Sequence, residues 1–361
     1  MNAAINLHAM GQSLWLDNLT RGMLDKGTLA RYRSELAITG LTSNPTTYQH
    51  ALAGTTDYDE AIGAATAQSG EALFYELALQ DLRRAADLFR PDHDASGGAD
   101  GWVSLEVSPL LVHDAPATIR VVAGLHAQGA RANLFIKIPG TPAGMVAIEE
   151  SIFAGVPVNV TLLFSCEQYQ QAAEAYLRGV ERRIMAGLDP AVGSVASLFV
   201  SRWDAAVAEQ VPAELRNELG IAMARRTYSA YRALLASARW RHLAEAGARP
   251  QRLLWASTGT KDPEAPDVMY LEALAAPNTV ITIPEKTLLA FADHGAVSGS
   301  MPVDGGDAER TLAAFATVGI KPDTLAAQLQ REGAESFSKS WHELLQLIEG
   351  KRAASMRRAA S

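Results

Sequence analysis

Short runs rich in apolar and β-branched residues recur along the chain, at Ser13–Asn18, Ala37–Ser43, Gly101–Ser108, Asn133–Ile138, Val156–Phe164, Ser194–Arg202, Arg252–Ser257 and Thr279–Pro284. Between most of them the apolar residues step by three and four instead, over Glu71–Arg90, Glu167–Met185, Pro212–Leu243 and Asp323–Ile348. The first pattern predicts buried strands and the second amphipathic helices. Strand and helix alternating about eight times predict an α/β chain with a parallel sheet and helical crossovers. That count over this length favours a single closed (β/α)8 TIM barrel with additional helices over an open doubly wound sheet. The most linker-like stretch, Pro91–Gly101 (PDHDASGGADG), has only a loop's length and leads straight into a strand, so residues 1–350 are expected to form one catalytic barrel domain. The tail Lys351–Ser361 (KRAASMRRAAS) is basic and rich in small residues. A solvated, flexible terminus is the favoured reading, a contact to an anionic partner the other.

Composition narrows the class. With 361 residues, 48% hydrophobic and 20% charged, the chain can bury a large core, and a net charge of −8 argues against a nucleic-acid surface. No apolar stretch reaches the roughly 18 residues of a membrane span, and MNAAINLHAMGQSLWLDN has no secretory pattern, so a cytoplasmic protein is expected. The one cysteine, Cys166, excludes an internal disulfide and a cysteine-built zinc site, and reads as an inert buried thiol. The eight histidines are scattered without metal-ligand spacing, and no phosphate-binding glycine motif of the GxxxxGK[ST] or GxGxxG type is present. No metal and no cofactor are expected.

The ends of the predicted strands are unusually polar. Asp17 ends the first, Asn44 follows the second, and Glu106 lies near the end of the third. Lys137 ends the fourth, Asn159 and Thr161 lie in the fifth, Ser197 and Arg202 in the sixth, and Ser257, Thr258 and Lys261 follow the seventh. Alternation puts Thr42 with Asn44, Ser104 with Glu106, Asn159 with Thr161, and Ser197 with Phe199 on shared faces. Inward residues at the C-terminal ends of barrel strands converge on one cavity, which accounts for all of them together.

Lys137 carries most of this reading. The chain has 25 arginines and seven lysines, yet a lysine stands inside NLFIKIP (133–139). A lysine, unlike an arginine, can give up its proton, and burial favours a neutral amine, the nucleophile of Schiff-base chemistry. The alternative is a lysine snorkelling from a strand end or paired with Glu106. Asp17 and Glu106 suit acid–base work or serve as caps and ion-pair partners. Asn44, in Thr42-Ser43-Asn44-Pro45, also fits an ordinary turn, and Arg202 and Lys261 fit either phosphate ligands or surface charges. Asn159 and Thr161 in a buried strand need partners.

The runs SLWLDN (13–18), TGLTSNPT (39–46), SLEVSP (104–109), NLFIKIPGT (133–141), NVTLLFS (159–165), SLFVSRWD (197–204) and WASTGTKD (255–262) together resemble the transaldolase family in its longer bacterial form. TIPEKTLLAFADHG (282–295) and LAAQLQREGAESFSKSW (325–341) are similar to it too. The resemblance implies a class I aldolase-type barrel of the pentose phosphate pathway. Such an enzyme moves a dihydroxyacetone unit from sedoheptulose 7-phosphate or fructose 6-phosphate to glyceraldehyde 3-phosphate or erythrose 4-phosphate. It implies Lys137 as the Schiff-base lysine, Asp17 as the base at the C4 hydroxyl, and Glu106 with Thr161 and a water as the groups that form and hydrolyse the imine. Asn44 and Asn159, with Thr42 beside them, match substrate-binding positions, and Ser197, Phe199 and Arg202 match the phosphate end. Lys261 stands where shorter members carry an arginine. The rival within the family is a fructose 6-phosphate aldolase releasing free dihydroxyacetone, where Glu106 and Phe199 would be glutamine and tyrosine; a non-catalytic phosphosugar-binding barrel is the rival outside it. Sugar phosphates are the expected partners, with no nucleic acid or membrane, in a monomer or homodimer.

Overall fold

The computed structural model describes residues 2–65 and 69–360. Eight parallel strands close into a barrel in chain order: β1 (Ser13–Leu16), β2 (Ile38–Thr42), β3 (Val103–Glu106), β4 (Leu134–Pro139), β5 (Val158–Leu163), β6 (Ser194–Phe199), β7 (Gln251–Ala256) and β8 (Val280–Ile283), with β8 pairing back onto β1. Each strand lies within a run predicted from the sequence, β4 and β7 overstepping theirs by a single residue at one end. Strands covered on both faces must be apolar nearly throughout, and that makes them easy to read.

The register sets the level of the polar residues. Glu106 pairs with Lys137, and Lys137 with Asn159, so three neighbouring strands bring an acid, an amine and an amide to one height. Pro139 pairs with Thr161 one layer higher. Below them the barrel is filled by Trp15, Phe135, Val195, Leu254 and Val280, in one cluster with Trp102. Gly40 in β2 makes room for this packing, since a Cβ there would lie 2.8 Å from the Trp15 ring and 2.5 Å from the Trp102 carbonyl oxygen. A second apolar layer lies between the outer sheet face and the helices.

Three local expectations change. Pro91 does not end its helix; the helix runs Gly70–Ala95, so half of the stretch that reads as a loop is helical. Asp92 in that extension is held by Arg33 at 2.6 Å, and His93 packs edge-on against Trp102. Pro212–Leu243 divides into Leu219–Ala236 and Ala238–Glu245, because Ser237 turns out of the helix and caps the next one. Arg202 is not in the sixth strand: β6 stops at Phe199, and Arg202 lies in the first turn of the helix Ser201–Val207. The basic tail continues the C-terminal helix (Pro322–Ala360), with Lys351 bonded to Asp59 and to the Thr55 carbonyl; Ser361 lies outside the described residues.

That long helix crosses toward the C-terminal end of the barrel. Trp341 buries against Phe74 and Tyr75, and Gln330 donates to the carbonyls of Gly140 and Leu162 at 3.0 and 2.9 Å. Among the described residues no helix is long and apolar enough to cross a membrane.

Candidate active site

A cavity of about 280 Å³ opens at the C-terminal ends of the strands. Of the residues predicted from sequence, Asp17, Thr42, Asn44, Lys137, Ser197, Phe199, Arg202 and Lys261 line it. Glu106, Asn159 and Thr161 do not; they sit buried behind its wall.

Lys137 is buried on β4, and its Nζ lies 3.2 Å from Oε2 of Glu106. Lys137 is thus paired with Glu106 and also lines the cavity. Burial raises the Glu106 carboxyl pKa above its ordinary value, and the positive charge of Lys137 only partly opposes this. Among the described residues neither Glu106 oxygen receives a well-formed protein hydrogen bond, and the hydroxyl of Thr161 has no partner either. These oxygens are therefore free to bond a substrate or a water.

Asp17 follows β1 and is half-buried. Desolvation raises its pKa, while Lys137, a hydrogen bond from Thr42 and Lys261 pull the other way. Thr42 donates to Asp17 Oδ1 at 3.0 Å. Asn44 caps the helix Pro45–Ala53: its Oδ1 accepts from the Thr47 amide at 3.0 Å, and the Thr47 hydroxyl accepts from the Asn44 amide. This cap uses the side-chain oxygen and leaves the NH₂ end to offer to the cavity. Asn159 is held from both sides, donating to Ser104 Oγ at 3.0 Å and accepting from Ser197 Oγ at 2.7 Å.

The far end of the cavity is cationic. The Arg202 guanidinium lies over the rings of Phe199 and Phe337, 5.2 and 5.6 Å from their centres. Burial draws its pKa below the usual guanidinium value, with Glu106 and Glu332 acting the other way. Among the described residues no carboxylate is within ion-pair distance of it, so its donors stay available for an anion. Lys261 stands exposed at the rim.

Sequence reasoning did not single out Phe337, Thr282 or Gly259 for the site, and it noted Ser257 only in passing. Ser257 adopts a left-handed backbone (φ 55°) just after β7, and Leu162 does the same (φ 58°) at the top of β5. Thr282 had a usable signal, a hydroxyl inside an apolar strand, whereas Phe337 reaches Arg202 from a distant helix and has none. Cys166 is buried, and burial pushes its thiol up to about 11. Among the described residues no three His, Cys, Asp or Glu side chains are grouped to hold a metal ion.

Fold and site together define an aldolase-type (β/α)8 barrel, with a lysine and a carboxylate lining one end of its cavity, a second carboxylate behind the lysine, and a guanidinium at the other end. The chain belongs to the transaldolase/fructose-6-phosphate aldolase family, whose model matches residues 14–348. Within that family it is similar to proteins named transaldolase. The protein of Saccharopolyspora erythraea is 44% identical over 96% of this chain and 98% of its own length. Those of Acidothermus cellulolyticus and Thermobifida fusca are 44% and 43% identical over 94% of this chain, covering 94% and 95% of their own lengths.

Proposed function

We propose that this chain is a transaldolase of the pentose phosphate pathway, working in the cytoplasm with Lys137 as its nucleophile. The observation that carries the reading is the buried Lys137–Glu106 pair, 3.2 Å apart, whose lysine lines one cavity with Asp17 and Arg202 while Glu106 stands behind its wall. Transfer of one proton from Nζ to Glu106 leaves a neutral amine, and the burial that raises the Glu106 pKa favours that transfer. The amine adds to C2 of fructose 6-phosphate or sedoheptulose 7-phosphate. One proton passes from the attacking nitrogen to the C2 oxygen through a water and Thr161, and Glu106 returns the second, so the oxygen leaves as water and the iminium forms.

Asp17 then takes the C4 hydroxyl proton. The C3–C4 bond breaks, its electron pair moving into the iminium, and an aldose phosphate departs while a three-carbon enamine stays on Lys137. An acceptor aldehyde reverses these steps. Arg202, Ser197 and Lys261 hold the phosphate, and Asn44 and Asn159 serve the donor's hydroxyls, so binding at the remote end orients the bond that breaks. Phe199 and Phe337 keep the guanidinium aimed.

Borohydride reduction in the presence of fructose 6-phosphate, followed by peptide mass mapping, tests this directly. A reduced three-carbon adduct on the Lys137 peptide is expected. An adduct on Lys261 or Lys286, or none despite sugar-phosphate binding, would overturn the assignment. Rapid release of dihydroxyacetone without an acceptor aldehyde would point to an aldolase instead of a transferase.

A further inference from the structure

We propose that Thr282, on β8, is a positioning residue for carbon–carbon cleavage: it orients the Thr42 hydroxyl onto the Asp17 carboxylate. The inference rests on the reading of Asp17 as the base at the C4 hydroxyl. Three oxygens lie in a row. Thr42 Oγ1 is 3.0 Å from Asp17 Oδ1, and Thr282 Oγ1 is 2.6 Å from Thr42 Oγ1. Both threonines are buried, and Thr282 itself lines the cavity.

The direction of the chain follows from counting protons. A carboxylate only accepts, and the Thr42 hydroxyl has one proton to give. If that proton serves Asp17, Thr42 must accept from Thr282, and the order is Thr282 to Thr42 to Asp17. Each donor strengthens the next, because polarised hydroxyls in a low-dielectric wall reinforce one another. When Asp17 takes the proton from the C4 hydroxyl, the acid can donate to Thr42, which then turns toward Thr282. Thr282 thus gives Thr42 a donor while Asp17 is ionised and an acceptor once Asp17 is protonated.

Thr282 is well placed to hold its own direction. Its carbonyl accepts from Thr258 at 2.7 Å, and its strand neighbour Ile283 accepts from the Asp17 amide at 2.8 Å. The base and the threonine are therefore fixed on adjoining strands. The charged groups facing Asp17 are Lys137 from β4, Lys261 after β7 and Glu106 from β3. Strands β2 and β8 contribute only hydroxyls, since neither carries a titratable residue.

The test compares Thr282→Val, which keeps shape and loses the hydroxyl, with Thr282→Ser, which restores it. In Thr282→Val, kcat for transfer from fructose 6-phosphate should fall about 5–10-fold, the loss expected for one hydrogen bond in a chain ending on a charge. The acid limb of the pH–rate profile should move to higher pH, because the carboxylate has lost support. KM for the donor and borohydride trapping of dihydroxyacetone on Lys137, which needs no carbon–carbon cleavage, should stay within about 2-fold. Thr282→Ser should return the acid limb to its original position. An unmoved acid limb in Thr282→Val, equal damage to trapping and cleavage, or no recovery with serine would each overturn the proposal. Asp17→Asn separates this failure from a failure of the underlying reading: substantial cleavage by that variant would remove Asp17 as the base altogether.

Discussion

The barrel has a buried acid surrounded by hydroxyls at each end, and the two are finished differently. At the N-terminal end, Asp100 accepts from Ser13 Oγ at 2.5 Å, Thr39 Oγ1 at 2.8 Å, Trp15 Nε1 at 2.8 Å and the Gly101 amide at 2.9 Å. Arg252 closes the network, donating to Ser13 Oγ and to the carbonyls of Thr279 and Ala99. At the C-terminal end, Glu106 has the Lys137 ammonium beside it and no well-formed hydrogen bond, and Thr161 has none. A carboxylate can accept about four bonds. Asp100 spends all of that capacity on holding strands together, and Glu106 keeps it. Buried charge alone therefore does not mark a site, and neither does an open acceptor alone, since Asp81 beside Arg21 also has a buried oxygen without a partner among the described residues; Glu106 differs in standing behind a lysine that lines the cavity.

The largest expected effect tests the unsaturated end. Lys137→Ala should lower turnover by at least about three orders of magnitude and abolish borohydride trapping. The chain should still fold, because Glu106 can keep a proton instead of standing as an uncompensated charge, and burial already favours its acid form. Circular dichroism and a denaturant titration on the same sample check this. Loss of structure together with activity would make the pair a structural device like its counterpart below.

The reverse substitution tests the saturated end. Asp100→Ala strands the Trp15 and Gly101 N–H groups and two hydroxyls, and it deprives Arg252 of its acid. A loss of about 3–4 kcal/mol in unfolding free energy is expected, with kcat of the folded fraction unchanged within about 2-fold. Denaturant unfolding and an assay below the transition measure the two quantities. A fall in kcat without a fall in stability would break the comparison.

The same contrast explains what the sequence could show. All eight strands were legible because both of their faces are covered, and the polar residues at their C-terminal ends stood out against that apolar ground. Asp100 and Arg252 did not stand out: they lie at strand starts, where loops and charges are ordinary, and only tertiary pairing reveals the network. For Arg202 the sequence points to the right end of the barrel but the wrong element, since nothing local in SLFVSRWD separates a strand end from a first helical turn. Pro91 misleads for the opposite reason. A proline predicts a helix end, and here the Arg33–Asp92 pair and the packing of His93 on Trp102 carry the helix past it. Phe337 lies 135 positions after Arg202 and shares no periodicity with it, so only the path of the C-terminal helix joins them.

A third buried acid sharpens the comparison with the smallest effect. Asp204 is well bonded, accepting from the amides of Leu219 and Gly220 at 2.9 and 3.1 Å and from the Tyr270 hydroxyl at 2.7 Å, yet among the described residues no cation faces it. Burial pushes its carboxyl up to about 6 from an ordinary 3.8. Between those values the folded chain holds a proton that the unfolded chain has released, so this group's stabilisation is complete below pH about 4 and is lost as pH rises through about 6. An amide in its place does not titrate. The stability of the native chain relative to Asp204→Asn should therefore fall by roughly 2–3 kcal/mol between about pH 4 and pH 7, since each tenfold difference in proton affinity between the folded and unfolded chains is worth about 1.4 kcal/mol. Asp17 and Glu106, also raised by burial, titrate in both chains and cancel in the difference. Denaturant unfolding of the two proteins across that range measures it. Parallel curves would show that three hydrogen bonds keep a buried carboxylate ionised without a counter-charge, and the cation opposite Asp100 would then be dispensable as well.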